Sequence, residues 1–268
     1  MPSTALFFLP LAPSQTSPTS TLISHITRTL PAEPLPPFIL DHRLFVDTSS
    51  LLPNTDTSKR TFTSILHLSH IPHQSFIGTT APTATVPASA SQPQTTTPTE
   101  PSLTITSLPS SSTDTLTQLI GTKLQPQWAH RQSVIIDNGT SLSLHNGDYT
   151  IRLGDVKTSP RGNQPLSLRG MILELTYNTD NGSEEVAEAS NGASATATDP
   201  GTARVSRDDE TLLRGVVDAL ADSAAISLAG ARVFFRRTHR QENGKVPPGV
   251  IDWDLVRLYM SALRGSRG

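Results

Sequence analysis

Two hydrophobic periods run along this chain, and they divide it. From Ser133 to Tyr177 the sequence reads SVIIDNGTSLSLHNGDYTIRLGDVKTSPRGNQPLSLRGMILELTY, and apolar residues recur every second position. That is the spacing at which strand side chains return to one face. Val134 and Ile136 share a face in the first run, Leu142 and Leu144 in the second, and Tyr149, Ile151 and Leu153 in the third. The pairs Asn138-Gly139 and Asn146-Gly147 separate these runs. Both residue types accept the positive φ of a type I′ turn, so each pair predicts a hairpin and the whole an antiparallel meander. The fourth run slips phase: Leu166 and Leu168 are even-numbered, while Met171, Leu173, Leu175 and Tyr177 are odd, with Gly170 between them. One extra residue in a strand produces such a slip, so a bulge or sharp bend is predicted there. Because Ile172 is also apolar, a strand buried on both faces is an alternative.

Upstream, Thr4 to Leu9 (TALFFL), Phe38 to Val46 (FILDHRLFV), Arg60 to Ser69 and Gln74 to Gly78 read as strands, with Leu103 to Leu108 as a short further one. In the second of these, Phe38, Leu40, His42 and Leu44 fall on one side. Pro72 marks a turn or an edge, since it cannot donate to a ladder. A 3.6-residue period predicts four helices. The first has Ser17 as cap, Pro18 at its first position and Leu22, Ile23, Ile26 and Leu30 on one face, and Pro31 to Pro37 ends it. The second covers Ser112 to Leu124, with Leu116, Leu119, Ile120 and Leu124 as its stripe. The third covers Asp208 to Ala225, with Leu212, Leu213, Val216, Val217 and Leu220 as its stripe and Asp208, Asp209 and Glu210 in the dipole-favoured first turn. The fourth is capped by Asp252 and carries Leu255, Val256, Tyr259, Met260 and Leu263, with Arg264 and Arg267 at its C-terminal end. Ala231 to Arg236 is one more strand, and Gln241 to Gly249 a loop. Strands dominate the first two-thirds and amphipathic helices close the chain. That segregation argues for an α+β fold with a curved antiparallel sheet or barrel rather than βαβ units.

Composition narrows the picture. Of 268 residues only 35% are hydrophobic, and 22 are proline. The tracts around 79–101 and 178–204 are rich in small polar residues, and they read as disordered inserts in a single domain spanning 1–268. A net charge of −2 gives no overall pull toward nucleic acid or an anionic membrane. The opening MPSTALFFLPLAP lacks a basic start and is too short to span a bilayer. With no cysteine, thiolate nucleophiles, disulfides and cysteine-held zinc are excluded.

Candidate chemistry is sparse. His67, His70 and His73 cluster in sequence, but residues three apart on a strand point to opposite faces, so solvated or partner-facing histidines are expected rather than a metal site. No phosphate-binding glycine loop, nucleophile elbow or His-Glu-x-x-His motif occurs. Arg232, Arg236, Arg237, Arg240 and Lys245, interleaved with Phe234 and Phe235, could form a contact for an acidic partner. The preferred reading is a strand with buried aromatics and solvated arginines. The apolar stripes of the last two helices are read as core faces before partner grooves. No catalytic, cofactor-binding or metal-binding residue is assigned.

The order of these features resembles the Mediator complex subunit 20 family in a filamentous-fungal form. The resemblance runs through ALFFLP, FILDHRLFVDT and RTFTSILHLSHIPHQSF. It is best around Arg131, Gly154-Asp155-Val156 and Arg169-Gly170, and it closes on Tyr259-Met260 in WDLVRLYMSALR. It implies a strongly curved antiparallel sheet related to Mediator subunit 18 and the TATA-binding protein. It further implies a non-enzymatic, nuclear coactivator subunit of the Mediator head module. Such a subunit would pair with Mediator subunit 18, be tethered by the C-terminal helix of Mediator subunit 8, and act on the RNA polymerase II machinery. No membrane and no direct sequence-specific nucleic acid would be among its partners, and no cofactor would be required. The alternative is a tunnel-barrel phosphohydrolase, whose interior needs clustered acids. From Val134 to Tyr177 only Asp137, Asp148, Asp155 and Glu174 are available for that.

Overall fold

A computed structural model describes residues 3–12, 15–48, 61–80, 103–125, 127–159, 166–178, 207–236 and 252–264. Most of the two low-complexity tracts, the 241–249 loop and Arg237, Arg240 and Lys245 lie outside the described residues. In chain order the strands are β1 (Ser3–Pro10), β2 (Ala32–Asp47), β3 (Phe62–Leu68), β4 (Gln74–Thr80), β5 (Leu103–Pro109), β6 (Trp128–Leu144), β7 (Tyr149–Ser159), β8 (Ser167–Tyr177) and β9 (Arg232–Phe235). The helices are α1 (Thr19–Thr29), α2 (Thr113–Gln118), α3 (Arg207–Ser223) and α4 (Trp253–Arg264). The strands form one sheet in the order β5-β4-β3-β2-β6-β7-β8-β1-β9, and every pairing is antiparallel.

Laid flat at about 4.8 Å per neighbour, such a sheet would be roughly 40 Å wide. The 12-residue α4 is about 18 Å long. Yet α4 contacts β3 and β5 near one end of the sheet and β1 and β9 at the other. The sheet therefore curls around α4, without pairing β5 to β9 among the described residues. Inside the curl, Leu255, Val256, Tyr259, Met260 and Leu263 pack on Leu6, Phe8, Phe38, Leu40, Leu66, Leu68, Phe76, Val134, Ile136 and Ile172. On the outer face α1 and α3 cover Phe7, Leu142, Ile151, Leu153, Met171, Leu173 and Leu175 with Leu22, Ile26, Leu213 and Val217. A smaller outer cluster joins Phe45 and Ile65 to Ile120, in the wide π-type turn that continues α2 through Lys123. Burial on both faces explains the unbroken apolar run of β1.

The meander is present, but one predicted hairpin is not. Asn146-Gly147 is the β6–β7 turn, with φ of 57° at Asn146 and 101° at Gly147. Asn138-Gly139 instead lies inside β6, which runs unbroken from Trp128 to Leu144. Between Ile135 and Thr140, β6 spends five residue steps where β7 spends four, from Lys157 to Leu153. The extra residue is a bulge. It moves Val134 and Ile136 to the inner face and Leu142 and Leu144 to the outer one, although all four are even-numbered. Gly139 is needed for a close approach rather than a turn: a Cβ there would sit 2.5 Å from the Phe38 carbonyl oxygen.

The phase slip in β8 is a bulge as well. Val156 pairs with Gly170 but Lys157 with Leu168, so Arg169 is the extra residue. Both faces are also buried, with Ile172 in the inner core and Met171 and Leu173 in the outer. Three further details differ from expectation. β2 begins at Ala32, so Pro34, Pro36 and Pro37 lie within it, beside its register irregularity at Leu35–Phe38. Pro18, not Ser17, is the residue preceding α1. Leu212 and Leu119 are exposed rather than part of their helices' buried stripes.

Candidate functional site: a buried ion pair beneath the central helix

Among the described residues, the inner face buries one carboxylate that composition hides. Glu174 lies in the apolar run ILEL of β8 and is fully buried. Register places it between Arg152 on β7 and Leu6 on β1. Arg152 Nη1 donates to Glu174 Oε1, and the Tyr259 hydroxyl of α4 donates to Glu174 Oε2. Thr176 Oγ1 adds a donor to Oε1 at 3.3 Å and is itself 3.1 Å from Thr4 Oγ1. Burial pushes the Glu174 carboxyl up, but Arg152 and the Tyr259 hydroxyl outweigh it and hold the group below its usual range. Burial, reinforced by the neighbouring carboxylate, pushes the Tyr259 phenol well above its ordinary value, so it remains a donor at neutral pH.

His70 completes this region. Its ring lies 5.9 Å from Phe38 and 6.4 Å from Tyr259 between centroids. Burial lowers its pKa to about 4, against a partial opposing pull from Glu174. His42, fully buried on β2, is also lowered to about 4 by burial alone. Neither ring has a hydrogen-bond partner among the described residues. Both are therefore neutral packing groups at pH 7. The three histidines close in sequence lie apart, and His70 is buried rather than solvated: His67 Nδ1 sits 3.2 Å from Ser75 Oγ, His70 turns under α4, and His73 occupies a turn at φ 67°. Among the described residues, no three His, Asp or Glu side chains converge to hold a metal ion.

Three further acids hold elements together. Asp155, on the outer side of β7, accepts from Thr19 Oγ1 at 2.6 Å and from Ser17 Oγ, fixing the start of α1. Asp137 pairs with Lys157 at 2.9 Å on the surface. Asp252 caps α4 through the Leu255 N–H at 3.1 Å and pairs with Arg236 at 2.6 Å. The described part of the basic patch is thus largely committed. Arg236 holds Asp252, Arg232 stacks on Phe8 at 4.8 Å, and Phe234 packs on the inner core.

The interior this arrangement creates is a filled curl. A central helix occupies it, and Glu174, the one fully buried carboxylate among the described residues, is saturated by a guanidinium and a phenol. Residues 1–264 match the family described as TATA-binding related factor (TRF) of subunit 20 of Mediator complex. The chain belongs to that family. No curated protein matches the sequence. Membership makes the chain a Mediator subunit, of a family of nuclear coactivators in transcription regulation that is in general non-enzymatic. The TATA-binding-related fold expected of it agrees with the curled, unclosed sheet.

Sequence reasoning missed the Glu174–Arg152–Tyr259 group. Its signal was a single acid in an otherwise apolar strand run, which implies a buried partner. Arg152 becomes that partner only once register is known.

Proposed function

We propose that the chain acts as a structural subunit of the Mediator head module. In this reading it pairs with Mediator subunit 18, is tethered by the C-terminal helix of Mediator subunit 8, and relays regulator signals to RNA polymerase II. The observation that supports this best is the occupied interior. A tunnel phosphohydrolase keeps its curl open and lines it with acids. Here α4 fills the curl, and Glu174, the carboxylate bound beneath it, is spent on Arg152 and Tyr259. Function then resides in outer surfaces and edges.

Affinity purification of the tagged full chain from nuclear extract, followed by mass spectrometry, tests the proposal. The expected result is stoichiometric recovery of head-module subunits, with subunits 18 and 8 remaining at high salt. Recovery as a lone monomer would overturn it. Assay of the purified chain with Mg²⁺ or Mn²⁺ and inorganic polyphosphate addresses the enzymatic alternative. Hydrolysis above the buffer rate that Glu174→Gln abolishes would revive it.

A further inference from the structure

The two ends of the sheet are guarded differently. β9 is four residues long, begins at Arg232 and is followed by Arg236. Short length and inward-held charge are the usual protection of an edge strand. β5, LTITSLP, has seven residues and no charge. It pairs with β4 in continuous register from Gln74↔Pro109 to Thr80↔Leu103, with no bulge to twist it away. No described residue pairs with its outer side. Thr104, Thr106 and Ser107 are exposed. Among the described residues its backbone therefore presents a row of N–H and C=O groups, and Pro109 at its end is the one feature there that discourages pairing.

Beside this edge, on the face opposite α4, lies an open groove of about 420 Å³ lined by Ile77, Leu108, Ser112, Thr115, Leu116 and Leu119. None of these side chains is charged, and Leu119 is 46% exposed. A strand laid along β5 would direct alternate side chains over this groove.

We infer that β5 is a strand-addition site, taking an extended, uncharged segment of another Mediator subunit whose apolar side chains enter the groove. The backbone row specifies an extended partner. The uncharged edge and groove specify an uncharged one. Size specifies a linear segment: seven strand residues extend only about 23 Å, and a strip of that length about 10 Å wide covers roughly 230 Å², well below the roughly 800 Å² per partner of a globular interface. Two-fold pairing with a second copy would set Pro109, which has no N–H, opposite Leu103.

This inference rests on the reading of the chain as a complex subunit, and hydrogen exchange separates the two. The full chain is compared free and within the purified complex, as wild type and as Thr104→Lys/Thr106→Lys. The expected result is that amides of residues 103–108 exchange about tenfold or more slowly in the complex. The lysine variant should lose that protection and its place in the complex while melting at the wild-type temperature. Ser107→Lys repeats the test should the double variant melt early. A photo-cross-linker at position 106 should map to an uncharged stretch of one partner subunit. Assembly without protection of β5, undiminished incorporation of the lysine variants, or cross-links to a second copy or to residues 81–102 of the same chain would each overturn the edge assignment alone. Failure of the wild-type chain to enter a polymerase-associated complex would overturn the assignment and the underlying reading together.

Discussion

The inner and outer faces of the sheet both carry a buried apolar core, but they are packed by different means. The outer face is covered by α1 and α3, which meet it chiefly through the aliphatic side chains Leu22, Ile26, Leu213 and Val217. Its polar links, Ser17 and Thr19 to Asp155 and Ser3 to Asp209, sit at the ends of those helices. The inner face holds one helix and places an ion pair, a phenol and two neutral histidines within the packing. Apolar packing tolerates substitution of similar volume, whereas a buried charge requires its partners. Disturbance of the inner face should therefore cost more, and should depend on pH in a way the outer face does not.

The sharpest way to test this contrast is Glu174→Ala. It leaves the Arg152 guanidinium without its anion and Tyr259 without its acceptor, and should cost about 3–5 kcal/mol in urea unfolding. A loss below about 1 kcal/mol would remove the distinction between the faces. Acid supplies the next effect. His42 and His70 titrate near 4 in the folded chain and near 6.5 once unfolded. Between those values the unfolded chain binds more protons, so stability is fully present above about pH 6.5 and is lost as pH falls toward 4. Each fully neutral histidine accounts for about 3 kcal/mol over that window. His42→Leu should flatten the acid limb, with chemical denaturation followed from pH 7 to 4. Tyr259→Phe, which keeps the ring and removes one donor from Glu174, should cost about 1–3 kcal/mol. On the other face, Asp155→Asn retains an acceptor for Ser17 and Thr19 and should cost about 1 kcal/mol or less, read as faster amide exchange in the first turn of α1 alone.

The outer face was also the easier to read in sequence. Ile151, Leu153, Leu173 and Leu175 keep a strict period of two, and Leu213 and Val217 a helical one, because each meets a single apolar neighbour layer. The period in α4 was equally clear, but it could not reveal that the sheet wraps around that helix, since curvature arises from many strand pairings together. Asn138-Gly139 misled for a local reason. A glycine that admits a neighbouring carbonyl and one that turns a chain look alike in sequence, and only the Phe38 backbone 2.5 Å from a would-be Cβ distinguishes them. Pro34, Pro36 and Pro37 hid the start of β2 because proline in a central strand is tolerated chiefly at irregularities. Glu174 was seen only as one of four acids, because what binds it lies across the sheet and on the last helix.

The extra residue in β6 carries a consequence for how this scaffold can change. One ribbon supplies two separate cores, and their assignment depends on a count rather than on chemistry. Removing any one position between Ile136 and Gly139 would rotate Leu142 and Leu144 toward α4 and present Ser141 and Ser143 to α1 and α3, even though every side chain were kept. Loops can be lengthened gradually, but this short span admits no intermediate, because a change of a single residue exchanges the two faces outright.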